Sequence, residues 1–144
     1  GLASVTIQTA IPAGAGETIN YEVVDEGVPK AFTAEAGNAD RGKKIYANRK
    51  KGNCLACHVT SDLKDMPFHG EIGPPMDGVA SRYSAAELRL RIADPKVLND
   101  DTIMPAFYRN DGFTRVLKKF QGKTVLSAQE VEDVIAYLMT MKDE

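Results

Sequence analysis

The sequence predicts an all-α domain preceded by an irregular N-terminal extension, and three observations lead there. Beyond about residue 36 the apolar residues recur at helical spacing. Two helix starts carry the same Ser-x-x-Glu capping signal, at Ser84/Glu87 and Ser127/Glu130. The strand-like alternation in the chain falls within residues 1–35.

Taken in order, the extension opens with "SVTIQTAI", in which Val5, Ile7 and Thr9 alternate with Thr6, Gln8 and Ala10. Pro12, Gly14 and Gly16 break that run, and "INYEVVDEGVPK" offers a second, weaker extended stretch. Residues 1–35 are therefore expected to lie along the domain or along a partner, the bland alternative being a partly ordered tail. Residues 36–144 form the domain itself. Its first helix is expected over Ala39 to Lys50, with Gly42, Ile45, Tyr46 and Arg49 on one face, ending near Gly52. A second starts at Ser84, turns Ala85, Leu88 and Ile92 to one side and stops before Pro95. The last carries Val131, Val134, Ile135 and Leu138 and has the strongest amphipathic pattern. No internal repeat or low-complexity segment interrupts the order.

The 144 residues suffice for one domain with a modest core. No stretch reaches the about 18–20 continuous apolar residues that a membrane span needs. A net charge of −2 argues against nucleic acid, which calls for a basic face.

Chemistry concentrates in "GNCLACHVT", Gly52 to Thr60, which holds both cysteines of the chain. Cys54 and Cys57 stand one helical turn apart, so both sulfurs can reach the two vinyl groups of a haem. His58 follows at once and can turn its imidazole onto the iron. One covalent haem c is the expected cofactor. Three other readings compete. A structural zinc site needs four ligands, and His69 is the only further His or Cys. A thioredoxin-like dithiol needs a βαβ setting, which the pattern lacks. A disulfide across two residues is strained. Because haem is attached to C-x-x-C-H outside the cytoplasm, the mature chain is expected in the periplasm, with a precursor that carried an export signal.

The other axial ligand decides what the iron does. Candidates are Met66, Met76, Met104, Met139, Met141 and His69. Met104 stands out in "DDTIMPAFYR", a segment without helical or strand period, where Pro105 restrains the backbone and Ile103, Ala106 and Phe107 supply apolar cover. A thioether is a weak ligand and has to be held rigidly. His69, in a Gly-containing polar loop, is the main rival, and an ordinary buried Met is the bland reading of Met104. His58/Met104 coordination is the expectation, and it raises the haem potential relative to two histidines. In "GEIGPPMDG" the stiff Gly73-Pro74-Pro75 turn is placed to offer a carbonyl, most plausibly that of Pro74, to the Nδ1–H of His58.

These residues together resemble class I cytochrome c: Gly42-x-x-x-Tyr46, Cys54-x-x-Cys57-His58, Gly73-Pro74, Ile103-Met104-Pro105, and a final helix with Val134 and Tyr137. The resemblance covers about residues 36–144. It implies that the first and last helices cross, with Gly42 allowing close approach and Tyr46, Val134 and Tyr137 packed at the crossing. A narrower resemblance, carried by "GNCLACH", "GEIGPP", "IMPAFY" and "EVEDVIAYL", is to the SoxX family, the smaller subunits of the SoxAX cytochromes of bacterial thiosulfate oxidation. Met76 stands where Leu is commoner in that family's turn, a volume-conserving exchange.

That resemblance implies a heterodimer with a SoxA-like larger haem subunit, which couples thiosulfate oxidatively to a cysteine of a SoxYZ-like carrier protein. The sulfur chemistry of such complexes lies on the larger subunit, and this chain has no third cysteine to supply it. Its implied role is non-catalytic: it takes electrons from the partner and passes them to a downstream cytochrome c. The alternatives are a free-standing periplasmic shuttle and a haem enzyme or gas sensor with an open iron, for which no distal catalytic set stands out. Lys43, Lys44, Arg49, Lys50 and Lys51, and further on Lys118, Lys119 and Lys123, are either a steering field for an acidic redox partner or a solvated face.

Overall fold

The computed structural model describes residues 18–109 and 124–143. The "SVTIQTAI" stretch and Lys118, Lys119 and Lys123 lie outside the described residues. Among the described residues there are four α-helices: α1 Ala39–Ala47, α2 Val79–Arg82, α3 Ala85–Ala93 and α4 Ala128–Leu138. Short 3-10 turns occupy Cys54–Ala56, Ser61–Leu63 and Pro95–Val97. Among the described residues there is no strand, only an isolated bridge between Val24 and Gly27. The fold is all-α, as the periodicity predicts.

Each long helix begins where its sequence provides a cap. The Asn38 side chain accepts from the Arg41 N–H at the start of α1. Ser84 and Ser127 each accept from the backbone N–H of the glutamate three residues on, and Glu87 and Glu130 bond back to the serine N–H groups. Pro95, lacking an N–H, closes α3 and opens the next turn. α1 is shorter than its period suggests. It ends at Ala47 because Asn48 leaves helical backbone, and the Lys51 and Asn53 N–H groups fold back onto the Asn48 carbonyl. Arg49 is thereby placed in the turn, exposed, instead of on the apolar face of a longer helix.

α1 packs most extensively against α4, and α3 also packs on α4. The α1–α4 crossing is close because Gly42 has no side chain. A Cβ there would stand 1.9 Å from the Asp133 carbonyl oxygen and 3.0 Å from the Tyr137 Cβ. Tyr46 and Tyr137 meet edge-to-face beside it at 5.4 Å. The Tyr137 hydroxyl donates to Asp62 at 2.7 Å, tying α4 to the 3-10 turn after the cysteine motif. Val131, Val134 and Leu138 are buried on α4, each contributing about 1.5–3 kcal/mol from burial.

Residues 18–35 pack on this bundle. Asp25 takes left-handed backbone (φ 55) in a tight turn closed by Val24 and Gly27. The Val28 N–H then donates to the Ala86 carbonyl at 2.9 Å. Val28 and Phe32 are buried, and the Phe32 ring lies between those of Tyr21 and Tyr108. A buried ion pair anchors the segment. Arg89 of α3 and Glu132 of α4 bond bidentately at 2.9 and 2.8 Å. Arg89 also donates to the Val28 carbonyl at 2.7 Å, and Glu132 accepts from the Phe32 N–H at 3.2 Å.

Candidate functional site

The cysteine motif is shaped by two backbone devices. Asn53 adopts left-handed backbone (φ 50) and launches the Cys54–Ala56 turn. The N–H groups of Cys57 and His58 then bond the Cys54 carbonyl at 3.2 and 2.9 Å. The result brings Cys54, Cys57 and His58 to the wall of one cavity. The two cysteines are free thiols, not bonded to each other. Burial pushes the Cys54 thiol up to about 12, which fits an apolar wall.

A second segment runs behind the motif and is held to it rung by rung. The N–H groups of Gly70, Gly73 and Met76 donate to the carbonyls of Leu55, Cys57 and Val59 at 2.8, 2.7 and 2.9 Å. Arg82 clamps the outer side of the loop, donating to the Asp77 and Pro75 carbonyls at 2.7 and 2.9 Å. This register sets the Pro74 carbonyl 2.7 Å from His58 Nδ1. A carbonyl only accepts, so Nδ1 carries the proton and Nε2 is left with its lone pair. Gly73 makes room for the ring: a Cβ there would lie 2.2 Å from His58 Cε1.

Met104 arrives from the other end of the chain. Its loop is fastened to the C-terminal end of α3 by the Phe107 and Tyr108 N–H groups, which bond the Ile92 and Ala93 carbonyls at 3.0 and 3.1 Å. The Leu126 N–H, just ahead of α4, bonds the Phe107 carbonyl at 3.0 Å. Met104 N–H itself bonds Thr102 Oγ1 at 3.2 Å. Ala106 and Phe107 are buried as expected of apolar cover, whereas Ile103 is 74% exposed and sits at the mouth.

Two adjoining cavities of about 430 and 540 Å³ share Cys54, His58, Pro74, Thr102, Met104 and Phe107, and so form one divided cleft. That size suits a cofactor. The inner part is mostly apolar, with Val79, Leu88, Ile92, Leu126 and Val134 on its walls. Its polar groups are few. The Tyr46 hydroxyl is bonded to Thr60 Oγ1 at 2.6 Å, and burial raises its pKa. The Arg91 guanidinium lies 4.1 Å from the Tyr83 ring centroid, and Nη1 donates to the Glu87 carbonyl at 3.3 Å. Arg91 and Arg82 went unnoticed in the sequence. Arg91 stands three residues after Leu88, so the helical period already put it beside the cleft-facing side.

The rival ligands separate clearly. His69 accepts from the Thr60 N–H at Nδ1 (3.3 Å) and donates from Nε2 to the Leu63 carbonyl at 2.9 Å, so both ring nitrogens are engaged away from the cleft. Met66 lines a different cavity, and Met139 and Met141 pack against the core. Met76 does line the inner cavity, but its backbone bond to Val59 ties it to the segment that also holds His58. Met104 alone comes to the cleft on an independent segment. Among the described residues no cluster of three or more His, Cys, Asp or Glu is placed to hold a metal ion. The thiol pair, the free His58 Nε2, the clearance at Gly73 and the apolar walls all fit a covalently held haem.

The family model of cytochrome c matches residues 39–142, from the first residue of α1 to beyond the end of α4. The chain belongs to the cytochrome c family. Its all-α fold is that of a class I cytochrome c domain, and covalent haem c is the cofactor typical of such domains. Among solved structures, this cytochrome c is similar to a chain in the crystal structure of SoxXA from P. pantotrophus, at 39% identity and a TM-score of 0.79. The match covers 85% of this chain and 95% of that one. No curated protein matches the chain. No helix among the described residues is long and apolar enough to cross a membrane.

Proposed function

We propose that residues 36–144 form a haem domain carrying one haem c, attached through Cys54 and Cys57 and ligated by His58 Nε2 and Met104 Sδ. On this reading the chain is the electron-transfer subunit of a SoxAX-type complex. A SoxA-like larger haem subunit is its partner, a SoxYZ-like carrier protein is reached through that complex, and a downstream cytochrome c accepts the electrons. The location is periplasmic. The observation that carries the ligand assignment is the meeting, in one cleft, of both cysteines, a histidine with a free Nε2, and a methionine from a separate segment.

When bound, the haem supplies a one-electron couple. The protein's part is to set its poise and keep its surroundings fixed. The Pro74 carbonyl holds the His58 tautomer and makes the imidazole a stronger donor. Met104, a soft ligand, favours the reduced state. The buried Ala106 and Phe107 beside it exclude water, and the double fastening of its loop limits reorganisation. Arg91, Tyr83 and Thr102 offer the polar side chains that the cofactor's carboxylates need in a mostly apolar cleft. A closed iron binds no substrate. With both cysteines used for attachment, no thiol remains for sulfur transfer, which puts that chemistry on the larger subunit. Support for a SoxX-like identity comes from the 39% identity to a chain of SoxXA.

The oxidised absorption spectrum tests the coordination. A weak long-wavelength sulfur-to-iron band is expected in the holoprotein, absent in Met104→Ala and retained in Met76→Ala. Rapid, complete carbon monoxide binding by the reduced wild-type protein overturns the closed-iron reading. Size-exclusion of the holoprotein with the larger haem subunit is expected to give a heterodimer, and a monomer indifferent to that subunit sinks the SoxAX assignment.

A further inference from the structure

Met104 sits on a segment with neither helical nor strand backbone, so other bonds have to hold the chain on each side of it. Beyond it the holding is plain, since the Phe107 and Tyr108 N–H groups are bonded to the end of α3. Ahead of it the main chain does less. The Leu98 and Asn99 N–H groups close the Pro95–Val97 turn onto the Pro95 carbonyl at 3.0 and 3.1 Å, and the Thr102 N–H bonds the Asn99 carbonyl at 3.2 Å. The next bond of a turn would run from the N–H of residue 105 to the Thr102 carbonyl. Residue 105 is proline and has no N–H to give.

Lys96 supplies the missing donor. Its ammonium, carried on the Pro95–Val97 turn, donates to the Thr102 carbonyl at 2.7 Å and, more weakly, to the Asp100 carbonyl at 3.4 Å. Among the described residues no other donor reaches either carbonyl, and Lys96 forms no ion pair. An exposed lysine ordinarily leaves its ammonium in water, because fixing the long stem costs side-chain entropy. Here the charge is spent on main chain two residues ahead of Met104. The hydroxyl of the same threonine, Thr102 Oγ1, takes the Met104 N–H at 3.2 Å. A line of bonds therefore runs from the turn after α3 through Lys96 and Thr102 to Met104, and both Thr102 and Met104 line the cleft.

We propose that Lys96 is a positioning residue for Met104: its ammonium takes the place of the N–H that Pro105 lacks and keeps the thioether seated on the iron. This rests on the Met104 ligation proposed above and adds what enforces it. A thioether is a weak ligand, so a loop that opens more often exposes the iron to competing small ligands. The apparent affinity of such a ligand rises in proportion to the open fraction.

The test titrates the oxidised holoprotein with imidazole. Lys96→Met is expected to bind imidazole at least about threefold more tightly than wild type. Its sulfur-to-iron band should fade on warming at a lower temperature than in wild type, while the urea midpoint stays unchanged because the side chain is exposed. Lys96→Arg, which keeps the charge and can span both carbonyls, is expected to restore the wild-type affinity and band. A smaller gain in imidazole affinity for Lys96→Met overturns the inference and leaves Met104 ligation in place. So does an arginine variant that behaves like Lys96→Met. A difference that vanishes at about 1 M salt, where the screening length is about 3 Å, also overturns it, since the lysine then acts only through its field. A lowered urea midpoint for Lys96→Met does the same, because the lysine then supports the fold at large. A wild-type holoprotein without the sulfur-to-iron band removes Met104 ligation and this inference together.

Discussion

At the scale of single residues, His58 is governed by two neighbours that have no functional side chain. Gly73 gives its ring room, and Pro74 contributes only a carbonyl. Gly73→Ala puts a methyl group 2.2 Å from His58 Cε1, which displaces the ring and breaks the bond to Pro74. The histidine then donates less strongly, so the midpoint potential of the Gly73→Ala holoprotein is expected to rise, as potentiometric titration will show. A tenfold change in the ratio of reduced to oxidised protein corresponds to about 59 mV for a one-electron couple. Cys54, Cys57, His58 and Met104 are singled out in the sequence by residue type and spacing, and the fold gathers all four around one cleft. The Pro74 carbonyl is singled out as the acceptor for His58 from the stiff Gly-Pro-Pro turn alone, and it stands 2.7 Å from Nδ1. What could not be read was Phe68: nothing in "PFHG" announces left-handed backbone at a phenylalanine, since the conformation is imposed by Gly70 packing on Ala56.

At the scale of elements, α1 and α4 depend on one missing side chain and one hydroxyl. In Gly42→Ala the new methyl group meets the Asp133 carbonyl at 1.9 Å, and two backbones have to move apart. A loss of about 3 kcal/mol is expected in urea unfolding of the holoprotein. Ser127→Ala removes one half of the α4 capping box and is expected to cost about 1 kcal/mol in the same assay. Both serine caps and the stop at Pro95 were legible because capping is a local matter. The end of α1 was not, because the period runs on through Arg49 while Asn48 breaks it with its own hydrogen bonds. On α4, Glu132 and Asp133 are buried although charged residues usually face water. Glu132 falls on the same helical row as Ala128 and Ile135, so spacing alone placed it inward, but its partner Arg89 lies 43 residues away. Asp133 is satisfied in the same long-range manner, by Arg41 and the Asn38 N–H.

At the scale of the whole molecule, the Arg89–Glu132 pair connects α3, α4 and residues 18–35. Removing one partner, as in Glu132→Leu, leaves a buried guanidinium uncompensated and is expected to cost about 3–5 kcal/mol. Arg89→Met combined with Glu132→Leu should recover part of that loss, the remainder reflecting the Val28 carbonyl and Phe32 N–H left without partners. Limited proteolysis of the single variant should open first within residues 18–35. Stability is also tied to pH through three aspartates held below their usual range. For Asp133, burial acts in the opposite sense and is outweighed by Arg41, the Asn38 N–H and Gln129. The Tyr137 hydroxyl and Lys43 lower Asp62, and the Ser61 hydroxyl and N–H lower Asp77. Folded values below the unfolded one mean that their contribution is complete above about pH 4 and disappears as pH falls through the depressed values. Unfolding free energy is expected to drop below about pH 4, and Asp133→Asn should be less stable at neutral pH with a shallower acid limb. Asp62 and Asp77 are exposed and matter less.

The three rungs that bind Gly70, Gly73 and Met76 to Leu55, Cys57 and Val59 make the support of His58 a property of spacing. Because the acceptor at position 74 belongs to the main chain, exchanging that side chain leaves the acceptor in place as long as the path survives. Adding or deleting a single residue between Gly70 and Pro74 throws the rungs beyond it out of register and takes the acceptor away. Apart from Gly70 and Gly73, where any side chain clashes, this stretch should therefore tolerate changes of letter and reject changes of length, and natural variation in the loop should accumulate as substitutions with almost no gaps.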